Sequence, residues 1–164
     1  MIVNTDRLEL HALNSEQMRL WLNDIPALER QLNCSYKAEP IEGFFRKIVE
    51  GQAVLTEEHA SEYYWHSFWF LIRRSDRVAV GSADFKAGPN ENGEVEIGYG
   101  LGKEFEGNGY MTEAVRAMCA WAKAQSVVSR VVAETDLDNI PSQNILKRCG
   151  FTETRRGDSV WWRL

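Results

Sequence analysis

Apolar residues at Leu8, Leu10 and Ala12 alternate with Arg7, Glu9 and His11, a period of two that predicts a half-buried strand over 8–12. The period then lengthens. Asn14 and Gln17 have the spacing of a capping box, and Met18, Trp21, Leu22 and Ile25 recur at helical intervals, so one amphipathic helix is expected to run through Ile25. Pro40 precedes a second such stretch, in which Ile41, Phe44, Phe45 and Ile48 share a face. Residues 51–67 show no readable period. Two aromatic and β-branched runs follow, 68–73 and 78–86, separated by the turn pair Ser75-Asp76 and ended by Gly88-Pro89-Asn90, the pattern of an antiparallel meander.

Residues 94–101 supply the next strand, Met111, Ala114, Val115, Met118 and Trp121 mark a long helix, and 129–135 return as a strand. Strand, helix and strand within one sheet imply a right-handed parallel crossover, so the sheet is expected to be mixed. Pro141 opens a short helix with Ile145 and Cys149 facing inward and Gly150 as its left-handed stop. A hairpin turning at Gly157-Asp158 closes the chain, with Val160, Trp162 and Leu164 alternating against Trp161 and Arg163.

Composition narrows the class. The 164 residues fit one domain, 1–164, and 44% hydrophobic against 26% charged residues suits a sizeable core. A net charge of -5 weighs against a nucleic-acid partner, which would draw its affinity from clustered Lys and Arg. Asp6, Arg7 and Glu9 fall where a signal peptide needs an unbroken apolar run, and no later run reaches the length of a membrane span. A cytoplasmic protein without a membrane partner, monomeric or homodimeric, is therefore expected. Cys34, Cys119 and Cys149 are odd in number and widely spaced, so they read as small buried apolar residues and no metal-ligand set is expected.

The chemistry concentrates in Glu106-Gly-Asn-Gly-Tyr-Met-Thr-Glu113, where two glycines stand between a strand and a long helix. The first amides of a helix lack internal partners and sit at the positive end of its dipole, so this junction suits a pyrophosphate. Alone, the motif fits an ordinary tight turn. Gly98 and Gly100 break the preceding strand, which alone fits an edge irregularity. Side by side, the two features suit one extended ligand that pairs with the strand and lays its phosphates on the helix, which is the shape of coenzyme A.

EIGYGLGKEFEGNGYMTEA resembles the coenzyme-A-binding core of the GNAT acetyltransferases, and NIPSQNILKRCGF resembles the Asn-x-x-Ser/Ala…Gly-Phe segment that follows it. The opening TDRLEL is similar to the first strand of the branch that acetylates protein amino termini, ribosomal proteins included. The resemblance implies an α/β (α+β) acyltransferase fold, a mixed, mostly antiparallel sheet with splayed fourth and fifth strands flanked by helices. It implies acetyl-CoA as co-substrate and direct transfer to an amine without an acyl-enzyme. Its phosphate loop falls on Glu106, Gly107, Asn108, Gly109, Tyr110 and Met111, with Thr112 next. Glu106 stands where the family has Arg, Gln or a bulky residue, and Met111 where it has a small one. Glu96 matches the general base on the fourth strand, while backbone amides around Tyr99, Gly100 and Leu101 match the donors to the thioester oxygen. Asn139 and Ser142, with Asn144 beside them, match contacts to the pantetheine arm and the leaving thiolate.

Several assignments stay open on residue type alone. Glu96 also fits a solvated or ion-paired strand residue, and Asn139 and Ser142 also fit helix caps. The tyrosine that protonates the thiolate in many relatives falls at Leu146, which holds no proton, leaving Ser142, a water or another tyrosine as the acid. Tyr63, Tyr64, Trp65 and His66 suit either an acceptor pocket or, more commonly, the core. Three activities fit: acetylation of a protein amino terminus, acetylation of a small amine, amino acid or drug, and coenzyme A binding without catalysis.

Overall fold

A computed structural model describes residues 1–164. One sheet of nine strands organises them: β1 (Ile2–Asn4), β2 (Leu8–Ala12), β3 (Ser35–Tyr36), β4 (Phe68–Arg73), β5 (Val78–Phe85), β6 (Glu94–Leu101), β7 (Arg130–Asp136), β8 (Thr152–Arg156) and β9 (Ser159–Arg163). Their spatial order is β1-β2-β4-β5-β6-β7-β9-β8, with β3 paired to β5 off that path. Most pairs are antiparallel; β6 with β7 and β3 with β5 are parallel. The helices are α1 (Ser15–Asn23), α2 (Ile25–Leu32), α3 (Gly43–Glu58), α4 (Tyr110–Lys123) and α5 (Ile140–Arg148).

Alternation along β2 buries Leu8, Leu10 and Ala12 as its period requires. The sheet separates two apolar clusters. Leu8, Leu10, Trp69 and Leu71 pack on one face with Met111, Val115 and Met118 of α4, while Phe68, Phe70 and Ile72 pack on the other with Met18, Trp21, Leu28 and Val49 of α1–α3.

The first helix is shorter than its periodicity suggested. The capping box of Asn14 and Gln17 forms, but α1 ends at Asn23. Asp24 then caps a separate α2 by accepting from the Ala27 N–H at 3.1 Å, with Pro26 in the first turn, so Ile25 opens the second helix rather than closing the first. The unreadable segment 51–67 is largely helical: α3 continues to Glu58 and a 3-10 turn spans Ala60–Trp65. Phe44 was expected on the buried face of that helix; it is 78% exposed, because Phe45, Ile48 and Val49 make the contacts. In α5 the fully buried residue is Leu146, with Ile145 and Cys149 half-buried beside it. Gly150 has φ 90, and the Phe151 N–H returns to the Leu146 carbonyl at 3.0 Å, the Schellman stop expected of that glycine.

Two features position the site. Strands β6 and β7 pair only from Glu94↔Arg130 to Glu96↔Val132, so the rest of β6 leaves one edge free as the strands diverge. On its other edge, β5 is shared: β3 takes Val78 and Ala79, and β6 takes Gly81 to Phe85. The chain leaving β3 is thereby brought against the end of β6.

Candidate functional site

A cleft of about 1380 Å³ opens between the free edge of β6, the amino terminus of α4 and the start of α5. It exceeds the 300–1,000 Å³ usual for a drug-sized ligand and is large enough for a long cofactor with a second substrate. Among the residues expected at a site, it gathers Tyr99, Gly100 and Leu101 from β6, Glu106, Gly107 and Gly109 from the loop, Tyr110, Met111 and Thr112 from α4, and Asn139, Ser142 and Asn144 around α5. Glu96 and Asn108 are not on its wall.

The loop presents open backbone donors to the cleft. Gly107 and Gly109 have φ of 78 and 77, a left-handed backbone that strains any side chain. Asn108 braces the turn instead of facing the cleft: its amide donates to the carbonyls of Phe105 at 3.0 Å and Glu106 at 3.2 Å. No side chain caps α4, and its first helical bond within the chain runs from the Glu113 N–H to the Gly109 carbonyl. The amides of Tyr110, Met111 and Thr112 are therefore left toward the cleft. Met111, the bulky departure from the family pattern, is 3% exposed with its side chain in the core, where it does not fill the approach to those amides.

Arg7 lies on the cleft wall, a placement that alternation alone could not reveal. Its guanidinium binds Glu113 at 2.6 Å and the Asn108 carbonyl at 2.8 Å, and lies 4.6 Å from the centre of the Tyr110 ring. Arg7, Arg116 and Arg148 all reach the cleft wall that also carries Glu106. The signal was available in Arg7 and Glu113 together, but nothing local links residues so distant in the chain.

At the other end of the cleft, β6 turns its groups according to strand geometry. The Glu96 carbonyl and the Gly102 N–H bond to β5, so by alternation the N–H groups of Tyr99 and Leu101 point to the free edge. Gly100 points its amide toward β5 and contributes space rather than a donor. Ser142 Oγ donates to the Tyr99 hydroxyl at 2.9 Å, and that hydroxyl donates to the Ser142 carbonyl at 3.1 Å. Burial pushes the Tyr99 hydroxyl up to about 12, with the Ser142 contact opposing it, so Tyr99 holds its proton at neutral pH. Leu146 is fully buried, and the phenol beside Ser142 is that of Tyr99 on β6. Asn139 fulfils the capping role, its side-chain oxygen accepting from the Ser142 N–H at 3.2 Å.

Glu96 is half-buried on the face of β6 turned away from α4, beside a second carboxylate. Burial raises its pKa first, Asp84 and Glu134 add to the rise, and Lys86 opposes it. Asp84 is 2% exposed, accepts from Gln52 at 2.8 Å and lies 3.9 Å from Lys86; burial raises its pKa as well.

The aromatic run before β4 belongs to the core. Trp65 is 3% exposed, and Tyr64 meets Trp121 edge to face at 5.4 Å while Trp65 packs against it at a tilt at 4.8 Å. His66 stacks on His59 at 4.1 Å, and neither lies on the cleft wall. Donor atoms of His59, Glu62 and His66 come within 4.8 Å of one another, a proximity their spacing had not suggested. Of the cysteines, Cys119 is buried as expected, but Cys34 and Cys149 are only half so; all three are free.

The family described as acetyltransferase (GNAT) domain matches residues 3–152. YjdG, an uncharacterized N-acetyltransferase of Bacillus subtilis, is 29% identical over 150 residues, which is 85% of this chain and 88% of that protein. The ribosomal-protein-serine acetyltransferase of Escherichia coli is 25% identical over 151 residues, 90% of this chain and 80% of its own. Among solved structures, RimL, a ribosomal L7/L12 alpha-N-protein acetyltransferase in complex with coenzyme A, shares the fold with a TM-score of 0.70 at 19% identity, covering 100% of this chain and 97% of its own. No helix of the chain is long and apolar enough to cross a membrane.

Proposed function

The chain belongs to the GNAT acetyltransferase family and is an N-acetyltransferase, and from that premise we propose that it moves acetyl from acetyl-CoA directly onto the α-amine of a protein or peptide. The observation that carries the reading is the single cleft joining the open amides of α4, the free edge of β6 and the Tyr99–Ser142 pair. An anion-binding end and a proton-holding end at opposite ends of one groove fit a phosphate-tailed thioester. The donor-bearing residues suit coenzyme A: amides and Arg7 for pyrophosphate, the Tyr99 and Leu101 N–H groups for the thioester oxygen.

In the reaction the neutral amine attacks the thioester carbonyl, the carbon–sulfur bond breaks, and the amine gives up a proton while the thiolate gains one. Ser142 and Tyr99 hold the proton for sulfur. Glu96, kept basic only above the usual carboxylate range, receives the amine proton through water, since it stands off the cleft wall. An α-amine near pKa ~7.7–8.0 needs less of that help than a lysine near ~10.4. The Tyr99–Ser142 pair favours an enzyme over a silent coenzyme A carrier, because it restores the acid that Leu146 lacks.

The names of two relatives, which act on ribosomal-protein serine and on the L7/L12 α-amine, favour a protein amino terminus. The test is acetyl-CoA with a serine-initiated peptide, free serine and a diamine, followed by thiol release and product mass. Acetylation of the peptide α-amine at the highest kcat/KM is expected. Turnover of the diamine or free serine with no turnover of peptide would overturn the acceptor assignment.

A further inference from the structure

The cleft wall carries a carboxylate that neither the anion-binding loop nor the hydroxyl pair employs and that stands beside β6, that of Glu39. It follows β3 by three residues, in the short passage to α3. The passage is tied to β5, braced within itself and packed closely on the end of β6. Lys37 N–H donates to the Ala79 carbonyl at 3.0 Å, the Tyr36 hydroxyl donates to the Glu39 carbonyl, and a methyl group at position 102 would lie 2.8 Å from the Lys37 carbonyl. A methyl group at position 100 would collide with the Glu39 carboxylate itself. Glycine at 100 and 102 is thus what lets the passage lie on the strand and set a carboxylate over Gly100.

That carboxylate is half-buried and forms no ion pair or hydrogen bond through its side chain, while burial alone raises its pKa. Acidic side chains lose hydration on burial and ordinarily recover it through a partner within the chain. Glu9 has Arg77 and Glu113 has Arg7; Glu39 has only the cleft. Its position relative to β6 is informative. Strand alternation puts Gly100, under Glu39, on one face and Tyr99, with Ser142, on the other. The reacting carbonyl, held by the amides of Tyr99 and Leu101, would have the proton source for sulfur on one side and Glu39 on the other.

We propose that Glu39 is the acceptor-binding carboxylate of this enzyme, holding the incoming amine as its ammonium ion over Gly100 before the proton is surrendered. The inference rests on the acetyl-transfer reading above. It assigns the substrate a class, a primary ammonium with no anionic group close to the nitrogen, since a carboxylate adjacent to the amine would meet Glu39 at short range. A peptide α-amine satisfies that condition and a free amino acid does not.

Glycinamide and propionamide isolate the charge, because they have nearly the same shape and differ in carrying an ammonium or a methyl group. In carbon-detected NMR of the full chain, the Glu39 carboxyl resonance, identified by its loss in Glu39→Gln, should shift on adding glycinamide and stay in place with propionamide. In acetyl transfer to glycinamide, Glu39→Gln should raise KM by about ten-fold or more and leave kcat within about two-fold, the size expected of one charge-assisted contact. A resonance that answers both amides alike or neither, or an unchanged KM, overturns the proposal. Calorimetry of acetyl-CoA in the same samples separates the two levels: wild type that binds acetyl-CoA while Glu39 ignores glycinamide refutes this assignment alone, whereas wild type that binds no acetyl-CoA refutes the transfer reading with it.

Discussion

Carboxylates and hydroxyls in this protein are sorted by what surrounds them rather than by type. Glu113 is held below its usual range: burial alone would raise it, but Thr5 at 2.6 Å and the backbone and guanidinium of Arg7 together outweigh that. Glu96 has no such partners, and the same burial leaves it raised. Replacing it by Gln keeps the shape and removes the proton acceptor, so kcat should fall by about ten-fold or more, up to the 10²–10⁴ typical of general bases. Raising the pH should partly restore that variant, since more of the amine is then already neutral; a pH–rate profile identical to wild type would remove Glu96 from the chemistry. Asp84 makes a separate forecast through stability. Its folded pKa is raised, so its stabilising contribution is complete below the unfolded carboxylate value near ~3.9 and is lost as pH rises through the folded value. Asp84→Asn keeps an oxygen for Gln52 and abolishes this loss. The melting temperature of wild type relative to Asp84→Asn should therefore decline as pH rises from about 4 toward 8. A difference that is flat across that range would mean Lys86 neutralises Asp84 in full.

At the scale of elements, the proposed function assigns the cofactor's phosphates to the junction of β6 and α4. Gly109 needs a positive φ and also lies closest to the open amides, so Gly109→Val both strains the turn and crowds the anion. Acetyl-CoA affinity should fall by about ten-fold or more while far-UV circular dichroism stays native, and calorimetry giving the wild-type Kd would remove the loop from the site. This junction was legible in the sequence because glycine at a strand-to-helix turn has a local physical reason. The same holds for β2, the 68–86 meander, the crossover from β6 to β7 and the terminal hairpin, whose periods and turns are written within a few residues. What was not legible is long-range. Ile25 is the exception, a local signal overridden by a period: it continues a helical spacing, while the neighbouring Asp24 cap and Pro26 restart the helix there. The two-residue β3 has no period to detect, yet it delivers Glu39 to the cleft. Arg7, in the bend before β2, and Tyr99, on β6, show nothing unusual until their partners Glu113 and Ser142 arrive from α4 and α5.

At the scale of the whole molecule, the proposed transfer has no covalent stop on the enzyme. A thiol becomes an acyl carrier as its thiolate, and burial raises all three cysteines, Cys34 to about 11 and Cys119 to about 12, with Cys149 raised as well. No cysteine is therefore poised to accept acetyl at neutral pH. The nine-stranded sheet instead splits at β6 and β7 so that donor and acceptor can meet in one cleft. In the proposed reaction, proximity would supply much of the rate and the side chains would move protons. Such a cleft also makes stability depend on its ligand: at 100 times its Kd, acetyl-CoA should add about 2.7 kcal/mol to the folded state, seen as a rise in melting temperature. The most direct test of the account is mass spectrometry under denaturing conditions, on enzyme quenched shortly after mixing with acetyl-CoA, with and without a serine-initiated peptide. The account predicts an unmodified protein chain in both samples and a peptide acetylated at its α-amine in the second. An acetylated protein chain that forms without peptide and is consumed when peptide is added would contradict it.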